Sequence, residues 1–87
     1  MKRLRFSWYV GVSKDGTRDV FCVICGSRAS MDREAVKYGL DNDFVCVIGP
    51  HKTLRGARFM ASPAARNNPH CQSSDDADRI ARNLSPV

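Results

Sequence analysis

The feature that most constrains this chain is a strict alternation near its start. Across residues 5–13, Phe6, Trp8, Val10 and Val12 fall on one side, and Arg5, Ser7, Tyr9, Gly11 and Ser13 on the other. That period of two predicts a half-buried strand. Lys14-Asp15-Gly16 follows as a turn, with Gly16 free to take positive φ. Residues 18–25 then make a returning strand. A three-residue loop with Gly16 at a bulge pairs Val10 with Val20 and Trp8 with Cys22, and turns Val20, Cys22 and Ile24 toward the core. A two-residue Asp15-Gly16 turn would turn Phe21, Val23 and Cys25 inward instead, because a slip of one residue exchanges the faces. The first register is the one expected.

Downstream the period changes. Ser30 is a candidate cap for a helix with Asp32 and Glu34 in its first turn, Met31, Ala35 and Tyr38 at helical spacing, and Gly39 as its stop. Phe44 to Ile48 is apolar without alternation, which predicts a strand covered on both faces and therefore central in the sheet. Gly49-Pro50 breaks it. Thr53 caps a short helix over 54–61, ended by Pro63. Residues 62–73 form a polar loop. Ser73 and Ser74 open a last helix with Asp75 and Asp76 in its first turn and Ala77, Ile80, Ala81 and Leu84 along its inner stripe. Pro86 lies beyond its end.

The reading is one α+β domain over residues 1–87, in two layers. Three mainly antiparallel strands carry helices on one face, in the order ββαβαα. Trp8, Val10, Phe44, Cys46, Ile48, Leu54, Ile80 and Leu84 form the expected core. A chain of 87 residues has room for a single core and little stability to spare. Its apolar runs are far shorter than the ~20 residues that cross a bilayer. The basic start Met1-Lys2-Arg3-Leu4-Arg5 leads into a strand rather than a leader. The expected location is therefore the cytoplasm (of the host cell, for a phage protein), with the four cysteines as thiols.

Net charge is +5, and its distribution matters more than its size. No Asp or Glu occurs between Phe44 and Ser74, where Lys52, Arg55, Arg58 and Arg66 lie; Lys2, Arg3 and Arg5 form a second basic cluster. Segregation of this kind points to an acidic partner, nucleic acid or an acidic protein face. Arg55 and Arg58 share one helix face, as do Arg79 and Arg82, and such pairs suit a phosphate or carboxylate. Gly49-Pro50-His51-Lys52-Thr53 lacks the glycine before the lysine and is too short for a nucleotide-binding loop. It keeps the simpler property of backbone N–H groups at a helix start, which suit an anion.

Cys22-Val23-Ile24-Cys25-Gly26 has the C-x-x-C spacing of half a zinc site, with His70 and Cys71 as the further candidates and Cys46 and His51 behind them. A strand would point Cys22 and Cys25 to opposite faces. The expected cofactor is therefore none, with a zinc module on Cys22 and Cys25 as the alternative. No nucleophile–base–orienter pattern is present, and no enzymatic activity is expected.

The C-terminal half carries a resemblance. Gly49-Pro50, residues 53–60, Asn68-Pro69-His70-Cys71-Gln72 and residues 76–81 resemble small uncharacterised proteins of bacteriophage and prophage genomes. The resemblance implies a setting rather than a residue role. Small phage proteins often bind and block a host machine such as RNA polymerase, a nuclease or a CRISPR effector. The expectation is a non-enzymatic binding protein, plausibly an inhibitor, that docks on a host protein, nucleoprotein complex or nucleic acid through Lys52, Thr53, Arg55, Arg58 and Arg66.

Overall fold

The structure is a computed structural model that describes residues 4–84. Lys2, Arg3 and Pro86 lie outside the described residues. The elements are β1 (Arg5–Ser13), β2 (Arg18–Cys25), α1 (Arg28–Asp41), β3 (Phe44–His51), α2 (Leu54–Ala61), α3 (Pro63–Arg66) and α4 (Ser74–Asn83). The α+β class, the three-stranded antiparallel sheet and the order ββαβαα are as expected.

The hairpin register is also as expected. Trp8 pairs with Cys22 and Val10 with Val20. The three-residue loop closes through Ser13 N–H to Thr17 O (2.8 Å) and Gly16 N–H to Ser13 O (2.9 Å), with Gly16 at φ 90°. That positive φ is a bulge conformation which glycine adopts without steric cost.

The order across the sheet is β2-β1-β3. The first strand is central and β3 is an edge, which corrects the expected central β3. Its apolar run is not covered on both faces: Val45 is 66% exposed and Cys46 is exposed. The strand also runs on through Gly49-Pro50, a cis peptide, to His51.

Helices lie on both faces of the sheet, not on one. On the first face α1 covers Tyr9, Phe21 and Val23 with Met31 and Ala35, and Phe44 and Val47 close the cluster. Tyr9 and Phe21 stack at 5.6 Å, and Phe21 and Tyr38 at 4.3 Å. On the second face α2, α3 and α4 cover Val10 with Ala57, Met60, Ala65 and Ala77, and Trp8, Val20 and Ile48 pack around them. Both sides of the β1 alternation are therefore buried at its middle, because a central strand between two helical layers has no solvent side. Cys22 and Ile24, expected to face the core, are exposed, Ile24 at 63%, while Phe21 and Val23 are buried on the opposite, α1 side of the strand. Cys46 and Leu84, expected in the core, are exposed, and Trp8, Phe44, Ile48, Leu54 and Ile80 are half-buried.

The helix starts follow their serines and threonines. Ser27, not Ser30, caps α1: its Oγ accepts from Ser30 N–H at 3.2 Å. The helix runs past Gly39 to Asp41. Gly39 is buried there against β3, where an added Cβ would come within 2.7 Å of Val47 Cγ2. Thr53 and Ser73 cap α2 and α4 as expected, accepting from Gly56 N–H (3.0 Å) and Asp76 N–H (3.2 Å). Residues 62–73 are not all loop, because Pro63 opens the single turn α3.

Candidate functional site: the cleft between α2 and α4

α2 and α4 meet along small residues. Ala57, Ala77 and Ala81 are fully buried, and Gly56 sits so close to α4 that a Cβ there would fall 2.9 Å from the Cα of Asp78. This approach brings Asp78 over the junction of β3 and α2. His51, fully buried, bonds through Nδ1 to Asp78 Oδ1 at 3.1 Å. Lys52 N–H donates to Asp78 Oδ2 at 2.9 Å. A carboxylate has only lone pairs to offer, so the ring proton of His51 resides on Nδ1. His51 Nε2 is buried and has no hydrogen-bond partner among the described residues.

Asp78 therefore fills the anion position that the sequence suggested at the start of α2. The protein supplies its own carboxylate to the helix N-terminus, where negative charge is favourable. The bond to Lys52 N–H satisfies a backbone donor immediately before the Thr53 cap.

Outside this junction the two helices leave an open cleft of about 510 Å³, lined by Lys52, Thr53, Arg55, Asp75, Arg79 and Arg82 with the flanks of Asp76 and Asp78. Its acids are unequally available. Asp76 accepts from Arg79 Nη2 (2.9 Å) and from Gln72 N–H (3.0 Å). These bonds, the Gln72 backbone bond first, hold its carboxyl below the usual carboxylate range. Asp78 is committed to His51 and Lys52. Asp75 is left against Lys52, Arg55 and Arg82, which make no ion pair among the described residues.

The five residues expected to form one contact surface separate. Lys52, Thr53 and Arg55 line the cleft. Arg58, in the last turn of α2, is exposed but does not line it. Arg66 ends α3, and its guanidinium donates to Gly16 O of the hairpin turn. It braces that turn rather than joining the cleft. His70 is exposed, outside the lining, with its backbone N–H on Asn68 Oδ1. Arg79 and Arg82, noted in the sequence only as a spaced pair, supply the opposite wall.

The cysteines do not assemble. Cys22 is exposed, while Cys25 packs against the α1-side cluster on the other face of β2. Cys71 packs in the second cluster, where burial, then the Asp76 charge, pushes its thiol up. Among the described residues no three His, Cys, Asp or Glu side chains gather as a metal site, and no helix is long and apolar enough to cross a membrane. No protein-family model, curated protein or solved structure matches the chain.

Proposed function

We propose that the protein is a non-catalytic binding module that takes an anionic segment of its partner into the α2–α4 cleft. The partner chemistry is a phosphate backbone or an acidic stretch of a host nucleoprotein complex. The observation that carries this is the imbalance of available charge. Two of the three carboxylates at the cleft are engaged inside the protein, while Lys52, Arg55 and Arg82 make no ion pair among the described residues. Cations set around a concavity raise the local concentration of an anion and fix its orientation. His51, the only imidazole near the cleft, is fully buried, so it is not placed to act as a base on a bound molecule. The resemblance to small phage proteins fits a role as an inhibitor that occupies a host machine.

The test is a fluorescence-anisotropy titration with a short single-stranded oligonucleotide, and in parallel with a poly-glutamate peptide, over a series of salt concentrations. Direct phosphate contact through Lys52, Arg55 and Arg82 gives a slope of log K against log salt of about −2 to −3. The double substitution Arg55→Glu, Arg82→Glu abolishes binding with the fold intact. Binding that survives it, or fails with both probes in the native protein, refutes the reading.

A further inference from the structure

The hairpin carries an aromatic face that the helices leave open. β1 pairs with β2 without a break from Arg5 to Val12, so Phe6 stands opposite Ile24 and Trp8 opposite Cys22. Trp8 and Val20 pack into the cluster under α2 and α4, so all four side chains belong to that face of the sheet. β3 ends at His51, which pairs with Trp8. The hairpin therefore runs on past the third strand, and the helices do not follow it. Phe6 and Ile24 are 62 and 63% exposed there, and Cys22 is exposed. Trp8 is half-buried at the margin, its ring at right angles (88°) to that of Phe6 with centroids 6.4 Å apart.

This face adjoins the α2–α4 cleft. The residue opposite Trp8 is His51, which holds Asp78, and the next residue is Lys52. Arg55 lies in the first turn of α2, and Arg82 follows Asp78 by one turn of α4. All three cations are exposed and make no ion pair among the described residues. The overhanging strand ends, residues 5–8 and 22–25, contain no Asp or Glu. Exposed aromatic rings beside cations select one class of anion. A single nucleic-acid strand presents π-faces and phosphates together, and each stacked base strengthens binding whatever its identity. An acidic peptide brings the charge without the π-faces. A second copy of this chain would bring the same cations and would need about 800 Å² from each side, whereas Phe6, Trp8, Cys22 and Ile24 offer on the order of 300 Å².

We propose that the occupant is single-stranded nucleic acid, whose bases stack on Phe6 and Trp8 while its phosphates enter the cleft at Lys52, Arg55 and Arg82. The path of the phosphates rests on the function proposed for the cleft. The stacking face is built from other residues and can fail or stand independently of it.

Trp8 is the only tryptophan in the chain, so its emission reports on this face directly. The experiment titrates the full chain with a short oligodeoxythymidylate, with an abasic oligonucleotide of equal length and with poly-glutamate, following Trp8 fluorescence and the anisotropy of the labelled probe. The thymidylate should quench Trp8 and bind at least about tenfold more tightly than the abasic strand. Phe6→Ala should weaken thymidylate binding by about five- to a hundredfold and leave its salt slope unchanged, because no phosphate contact is removed. Phe6 is exposed, and circular dichroism confirms that the variant folds. Quenching and Phe6 dependence that persist in the Arg55→Glu, Arg82→Glu protein support the stacking face and refute the cleft reading instead. Equal binding of abasic strand and thymidylate, with Trp8 unquenched, overturns the stacking face and leaves the cleft standing. Tighter binding of poly-glutamate than of thymidylate, a dimer that Phe6→Ala dissociates, or no binding of any probe overturns it as well.

Discussion

Replacing Asp78 with alanine should damage the fold more than its position on a surface helix suggests. Among the described residues Asp78 is the only hydrogen-bond partner of the His51 ring, and it also receives Lys52 N–H. Removing the carboxylate leaves a fully buried imidazole with neither nitrogen satisfied and removes negative charge from the start of α2. A hydrogen bond to a charged group is worth about 1.5–3 kcal/mol, and favourable charge at a helix end about 0.3–1 kcal/mol. The backbone donor of Lys52 regains water because it lies near the surface, so one full bond and the helix-end effect are lost, about 2–4 kcal/mol. For a domain of this length 1 kcal/mol moves the unfolding midpoint by roughly 4–8 °C, so Asp78→Ala should melt at least about 8 °C below the native protein. Asp78→Asn separates charge from shape. One amide oxygen cannot accept at both places, so Asn should fall between Asp and Ala. Thermal unfolding by circular dichroism, checked by urea titration, gives the order. If Asp78→Ala melts within about 2 °C of the native protein, the His51–Asp78–Lys52 junction does not hold α4 in place and the reasoning fails.

Other positions give further expectations. Gly11→Ala sets a Cβ 2.1 Å from the Phe44 ring on the crowded α1 side of the sheet, and should cost about 1–3 kcal/mol by urea unfolding. Tyr9 donates to Asp32 Oδ1 at 2.9 Å, and burial first, then the Asp32 bond and charge, push its phenol well above its ordinary value. The folded state thus resists ionisation that the unfolded chain undergoes near pH ~10. Stability from this source is complete below that pH and declines as pH rises beyond it. Unfolding midpoints measured through the alkaline range should fall less steeply for Tyr9→Phe; parallel slopes would contradict this. Cys22 and Cys25 face opposite ways, so EDTA should leave the unfolding midpoint unchanged, and a fall would restore the zinc alternative.

What the sequence revealed and what it hid have separate physical causes. The α2 and α4 starts and the hairpin register were legible because each rests on local chemistry: a Thr53 or Ser73 side chain bonding three residues on, and a glycine able to take positive φ. The α1 start was misplaced because Ser27 and Ser30 are equally good caps by type, and the two hydroxyls bond each other at 2.9 Å. The misreading of β3 has another origin. A continuous apolar run is what a central strand shows, but it also arises at an edge that leaves Val45 outward. The burial of Tyr9 and Phe21 went unseen because alternation marks the sides of a strand without saying that both are covered. At the site, Lys52, Thr53 and Arg55 were legible as cations and a cap at a helix start. His51 and Asp78 were not, since they are 27 residues apart and only the close α2–α4 packing brings them together.

The central place of β1 has a consequence for the order in which the molecule can assemble. The hairpin and α1 lie within residues 5–41, and that stretch contains the buried residues of one layer of the core, which Phe44 and Val47 of β3 then close. The opposite side of β1, with Val10 at its centre, stays bare until α2 and α4 have been synthesised. Contacts that join the start of a chain to its end are slow to form, because a long loop must close first. The last helix thus completes the second layer and caps His51, and a nascent or truncated chain that ends before residue 74 presents a ready-made apolar sheet face to whatever surrounds it.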